Sequence, residues 1–178
     1  MKLQTLSFIL PPPIHPIGAI LASDWAVTEA ELGTCLPCDY KEFISLYGTG
    51  YIDNFLAIFS PASKNKFINI VERSKSDLEG LRDLRISYPS QYHFERYPAS
   101  GGLLGFGTTD NGEILYWRTS GPPDDWNVVV YEARGPEYFE YSGNMMSFLI
   151  ELLSRTIRVP VLPADFPDVP CAYNPISD

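Results

Sequence analysis

The residues of this chain whose types and spacing could do chemistry form four groups: a C-x-x-C pair, a glycine-rich stretch, two histidines and a scatter of carboxylates. Cys35-Leu-Pro-Cys38 has the spacing shared by redox dithiols and zinc sites. A thiol beside a helix start has a lowered pKa and reacts as the thiolate. A thioredoxin-like pair, however, follows a strand, and here the sequence predicts a short helix before it. A structural zinc site needs four ligands. Beyond the pair only Cys171, His15 and His93 remain as soft donors, none at short spacing. The pair reads as two thiols at a helix start, with a thiol oxidoreductase as the lesser alternative.

Residues 101–118 read GGLLGFGTTDNGEILYWR. A phosphate-binding P-loop needs a lysine and a hydroxyl after its glycines, leading into a helix. No lysine follows here, and the pattern that follows is a strand. A dinucleotide fingerprint needs a third glycine where this chain has Asp110. The glycines are expected to let a strand bend or another backbone approach closely.

Neither His15 nor His93 has a nucleophile motif beside it, and no G-x-S-x-G or H-E-x-x-H occurs. Asp124-Asp125, Asp110, Glu113 and Glu132 could pair for acid–base work, but carboxylates near turns are commonly solvated. No catalytic residue, cofactor or metal site is expected, and the chain is not expected to be an enzyme.

The elements that would position these groups follow from composition and periodicity. With 178 residues, 45% hydrophobic and 13% aromatic, the chain is long enough for one domain with a substantial core. The net charge of −9 argues against a nucleic-acid binder and fits a partner with a basic surface. The short apolar run Leu6–Leu10 suits neither a signal peptide nor a membrane span, and three cysteines cannot pair completely. A cytoplasmic protein with reduced thiols is expected.

Residues 1–23 read as an irregular proline-rich lead-in. Thr28-Glu-Ala-Glu31 reads as a capping box and Gly33 as a helix stop. Pro37 opens a second helix with Tyr40, Phe43, Ile44 and Tyr47 on one face. Phe55–Phe59 reads as a buried strand. A helix is expected over about 62–85, with a possible break at Ser74–Asp77. Strands follow at Leu103–Thr108, Glu113–Arg118 and Trp126–Glu132, with Asn111-Gly112 as a tight turn. Tyr138–Tyr141 adds a short strand, and Ser142 or Asn144 caps a last helix to about Ile157. The tail from Val159 is expected to be irregular and partly docked.

These residues resemble a known family. Leu36-Pro37-Cys38-Asp39-Tyr40-Lys41-Glu42-Phe43, followed by Tyr47-Gly48-Thr49-Gly50, is similar to the LPxDYxxF…YGxG signature of the SUKH superfamily. Trp25, Glu29 and Glu31-Leu32-Gly33 also fit, as do Phe55-Leu56 and Phe59-Ser60-Pro61. Gly101–Leu104, Thr109–Gly112 and Leu115–Trp117 look like that family's central hairpin, Trp126 with Val128–Val130 like its next strand, and Phe148-Leu149 like its final helix. The resemblance covers about residues 20–157, within one domain spanning 1–178 and extended at both proline-rich ends.

It implies an α+β domain with helices packed on a bent mixed β-sheet. It further implies an immunity protein that binds and blocks a toxin domain, a nuclease or deaminase, by protein–protein contact. The alternative is a regulatory scaffold, like the eukaryotic branch that acts in cell-wall synthesis signalling. The family has no established catalytic set, and Cys35 and Cys38 fall at positions that vary within it. Asp110, Glu113, Asp124, Asp125 and Glu132 are expected to include part of the partner-contact face, occupying a basic cleft as a phosphate mimic.

Overall fold

The computed structural model describes residues 2–21 and 24–176. The lead-in is not irregular throughout: Lys2–Ile9 form helix α1. Leu6 and Leu10 are fully buried and Leu3 is half-buried, so a three- and four-residue spacing turns one face inward, against α5 (Met145–Leu153) and α3 (Cys38–Tyr47). Pro11, Pro12 and Pro13 stop the helix, because proline cannot donate to the preceding turn.

Helix α2 spans Trp25–Leu32 and ends on Gly33, whose φ of 74° is the left-handed conformation glycine accepts most readily. It begins four residues earlier than the capping-box reading, with Asp24 and not Thr28 at the N-cap position, so Thr28 lies inside the helix, buried, and caps nothing. Glu29 has a different role. It accepts from the Leu36 N–H at 2.8 Å and from Lys41 at 2.7 Å, tying α2 to the start of α3. Pro37 stands at the N-cap of α3 rather than inside it. The expected face is present: Tyr40, Phe43, Ile44 and Tyr47 are all fully buried.

Strands β1 (Gly50–Ile52) and β2 (Leu56–Ile58) form a hairpin. Helix α4 runs Ile70–Ser87, eight residues later than expected and without a break. Asn69 is the cap, its side chain accepting from Val71 and Glu72 N–H at 3.0 and 3.2 Å. Ser74 sits within the helix by donating to the Val71 carbonyl at 2.8 Å, and Phe67, placed in the helix by its spacing, lies outside it and is 61% exposed. Strands β3 (Gly102–Thr109), β4 (Ile114–Thr119), β5 (Asn127–Tyr131) and β6 (Tyr138–Tyr141) follow the sequence reading closely. Asn144 caps α5, accepting from the Ser147 N–H at 3.2 Å. The tail supplies a strand the sequence did not reveal, β7 (Tyr173–Pro175).

The seven strands of the described residues make one sheet in the order β6-β5-β4-β3-β2-β1-β7. Every strand pair is antiparallel; parallel pairing is confined to isolated bridges, Ile17 with Gly48 and Arg96 with Leu103. The fold is α+β. One face of the sheet carries the main core, where Phe106 stacks on Trp117 at 4.7 Å and Tyr40 meets Trp117 edge-on at 5.1 Å. The core reaches past residues 20–157 at both ends, through Leu6 and Leu10 and through Val159, Leu162 and Tyr173. The other face carries a smaller cluster of Leu103, Tyr116, Val129 and Tyr131, covered by Leu81 of α4 and by Tyr92 and Phe94.

The glycine-rich stretch is strand, as expected. Its register shifts between Gly105 and Gly107, so Phe106 is an extra residue in the ladder and bends β3. A side chain on Gly107 would meet the Ala57 carbonyl of β2 at 2.9 Å, so this glycine admits the neighbouring backbone.

Candidate partner-binding surface

The antiparallel meander places three hairpin turns on one edge of the sheet: β1–β2 at 53–55, β3–β4 at 110–113 and β5–β6 at 132–137. The chain entering β7 arrives at the same edge, because Ile52 pairs with Tyr173. Six strands at about 4.8 Å spacing make this rim about 24 Å long. Its turns carry Asp53, Asp110, Glu113, Glu132 and Glu137 against one basic residue, Arg134.

The five carboxylates singled out from the sequence do not form one patch. Asp110 and Glu132 are exposed on this rim. Asp124 and Asp125 are exposed in the short 3-10 turn Pro123–Asp125, beyond the opposite end of β4. The six residues of β4, about 17 Å from first to last, separate the two ends. Glu113 requires a correction. It is only 6% exposed, accepts from the Thr109 hydroxyl and returns its own N–H to that oxygen at 3.2 Å. It pins the hairpin turn and presents nothing outward.

Glu132 is pushed above the usual carboxylate range. The first cause is a hydrogen bond shared with Glu137; burial and repulsion from Glu137 and Glu113 add to it. The rim is therefore crowded with like charge, a setting that a cation would relieve.

Asp124 accepts from the Cys38 N–H at 2.6 Å, serving as a cap in trans for the first turn of α3. The same carboxylate accepts a hydrogen bond from the Cys38 thiol, which together with burial pushes the thiol's pKa up. That is the reverse of the lowering expected at a helix start, and it disfavours the thiolate a redox site needs. Cys35 and Cys38 are exposed and free, and Cys171 is buried and free. His15 is exposed, and His93 stacks on Phe94 at 5.0 Å with Nε2 3.3 Å from the Tyr138 hydroxyl. Among the described residues, no group of three or more His, Cys, Asp or Glu side chains could hold a metal ion, and no helix is long and apolar enough to cross a membrane.

The sequence reading missed Asp53, Phe55, Asp165, Phe166 and Asp168, which border an open groove at the β1–β2 end of the rim. Asp53-Asn54 does carry a signal, since both residues have positive φ (52° and 53°) and Asx residues tolerate that region in tight turns. Asp165 and Asp168 lie among prolines, where no periodicity marks a register.

A family model described as the SMI1 / KNR4 family (SUKH-1) matches residues 20–151. No curated protein and no solved structure gave a match.

Proposed function

The chain belongs to the SMI1 / KNR4 (SUKH-1) family, and from that premise we propose that it is an immunity-type protein. It binds a toxin domain of the nuclease or deaminase class stoichiometrically and neutralises it without chemistry of its own. Residues 1–178 act as one domain, working in the cytoplasm on a protein partner and not on nucleic acid or membrane directly.

The observation that carries this reading is the acidic rim. Asp110 and Glu132 stand exposed along one edge of the sheet, on a chain of net charge −9. An enzyme that acts on nucleic acid needs a basic cleft, and a row of carboxylates on a rigid sheet edge can occupy it in place of phosphates. Asp110 and Glu132 belong to this contact face; Asp124 and Asp125 form a second, separate acidic point. The family is in general non-catalytic, and the raised Cys38 thiol removes the main argument for an oxidoreductase.

The test uses the full chain as bait in lysate of its own cell at low and high salt. One salt-sensitive partner whose nuclease or deaminase activity falls at equimolar ratio is expected. A partner that stays active when bound overturns the reading. So does capture of several unrelated proteins, the result a regulatory scaffold gives. That second reading is favoured by an open apolar groove between α1 and α3, lined by Leu3, Trp25 and Leu46.

A further inference from the structure

The groove at the β1–β2 end of the rim is built by two distant parts of the chain. The Asp53 carboxylate reaches across to the tail and accepts from the Asp168 and Ala172 N–H groups at 2.9 and 2.7 Å. The Asp53 N–H donates to the Ala172 carbonyl at 2.8 Å. Phe166 lies against Phe55 with ring centroids 4.9 Å apart. From the other side, Arg155 donates to the carbonyls of Asp165 and Pro167. The tail segment is thus fixed by backbone bonds, and its carboxylates are left to point outward.

The result is an open groove of about 370 Å³, with the two rings and Asp53, Asn111, Asp165 and Asp168 on its walls. Asp110 is next door, its N–H bonded to the Phe55 carbonyl at 3.0 Å. Among the described residues, no cationic side chain is paired with Asp110, Asp165 or Asp168. Aromatic faces beside carboxylates make a setting for an organic cation: rings attract it through their negative faces, and carboxylates bind its N–H groups. A guanidinium suits both at once, because it is planar enough to stack and forked enough to bridge a carboxylate.

We infer that this groove receives an arginine side chain projecting from the basic partner. The inference rests on the immunity reading and adds to it the anchor point. It also assigns a role to the tail. Phe166 and both outward carboxylates lie outside residues 20–151, the part matched to the family, while Asp53, Phe55 and Asn111 lie inside it, so the tail completes a groove begun by the matched domain.

The probe is N-acetyl-arginine amide, with its neutral isostere N-acetyl-citrulline amide as control, titrated into isotope-labelled full chain and followed by backbone amide shifts. Saturable shifts at Phe55, Asn111, Phe166 and Asp168 are expected with the arginine probe only. The double variant Asp165→Asn, Asp168→Asn, in exposed positions, is expected to weaken binding about tenfold. Phe166→Leu, which keeps the tail apolar, should weaken it as well, while Asp125→Asn leaves it unchanged. Equal shifts with citrulline, shifts spread over the whole rim, or indifference to the double variant would each overturn the inference. A captured partner keeps the two readings apart. If Asp110→Asn with Glu132→Gln weakens that partner and Asp165→Asn with Asp168→Asn does not, the groove fails and the immunity reading stands. If arginine binds the groove and no basic partner is found, the groove stands and the immunity reading fails.

Discussion

Asp77 on α4 stands directly over Gly105 on β3: a Cβ on that glycine would lie 2.9 Å from the Asp77 Oδ2 atom. The other carboxylate oxygen is bound by Arg73 at 2.8 Å, one helical turn earlier, and Oδ2 itself has no hydrogen-bond partner. The bend in β3 and the seating of α4 are therefore one arrangement. Gly105→Ala is expected to destabilise the fold by about 1–3 kcal/mol through overpacking. Urea unfolding measures it. In an Asp77→Ala background the same change should cost less, and a purely additive double-mutant cycle would refute the contact.

The same carboxylate makes stability depend on pH. Burial pushes Asp77 up to about 6 from an ordinary value of 3.8, with Arg73 only partly opposing. The folded state then holds this proton more tightly than the unfolded chain does. The resulting stability is fully present below pH 3.8 and is lost as pH rises through about 6. Relative to Asp77→Asn, the parent protein should gain about 1 kcal/mol of stability on acidification from pH 7 to pH 5, out of about 3 kcal/mol reached only below pH 3.8. Thermal or urea unfolding of both proteins across that range gives the difference curve; a flat one would exclude the effect.

Tyr40 donates its hydroxyl to the Phe59 carbonyl at 2.6 Å in a fully buried site, and its ring meets both Trp25 and Trp117 edge-on. Tyr40→Phe keeps the ring contacts and strands the carbonyl. A loss of about 1–2 kcal/mol in unfolding free energy is expected, with the tertiary fold intact by near-ultraviolet circular dichroism.

These relationships show what could be read from the sequence and what could not. The face of α3, the run Val128–Val130, the Asn-Gly hairpin and the Asn144 cap each rest on local patterns that packing then reinforces. α1 was missed because its inward face is only Leu3, Leu6 and Leu10, too short a period to stand out beside the prolines. The start of α4 was misplaced because Phe67 extended the apolar spacing past the true cap at Asn69. Of the acidic positions, exposure was legible for Asp110 and Glu132, since turns are solvated. The inward turn of Glu113 depends on the Thr109 hydroxyl across the hairpin, and the groove depends on two segments more than 100 residues apart. Contacts of that range leave no trace in local spacing.

Asp124 offers a further test, at the other end of β4. Its carboxylate caps α3 and holds the Cys38 thiol protonated. Asp124→Asn keeps an acceptor for the helix and removes the charge. The Cys38 thiol pKa should fall, and alkylation of Cys38 by iodoacetamide at neutral pH should speed up while Cys35 serves as the internal reference. An unchanged ratio of the two rates would place the control of Cys38 elsewhere.

β7 has a consequence of another kind. β1 is three residues long and pairs with β2 on one side; on the other side its backbone groups are taken up by Tyr173, Asn174 and Pro175. A chain cut after residue 151, the last position matched to the family, would leave that row of donors and acceptors bare and would remove the Tyr173 ring that packs on the buried rings of Tyr47 and Phe43. Bare strand edges recruit other strands. In this protein the tail thus moves the border of the sheet outward: β7 takes the place beside β1 that a foreign strand would otherwise fill, and its own last residue is Pro175, which has no N–H to offer a further strand.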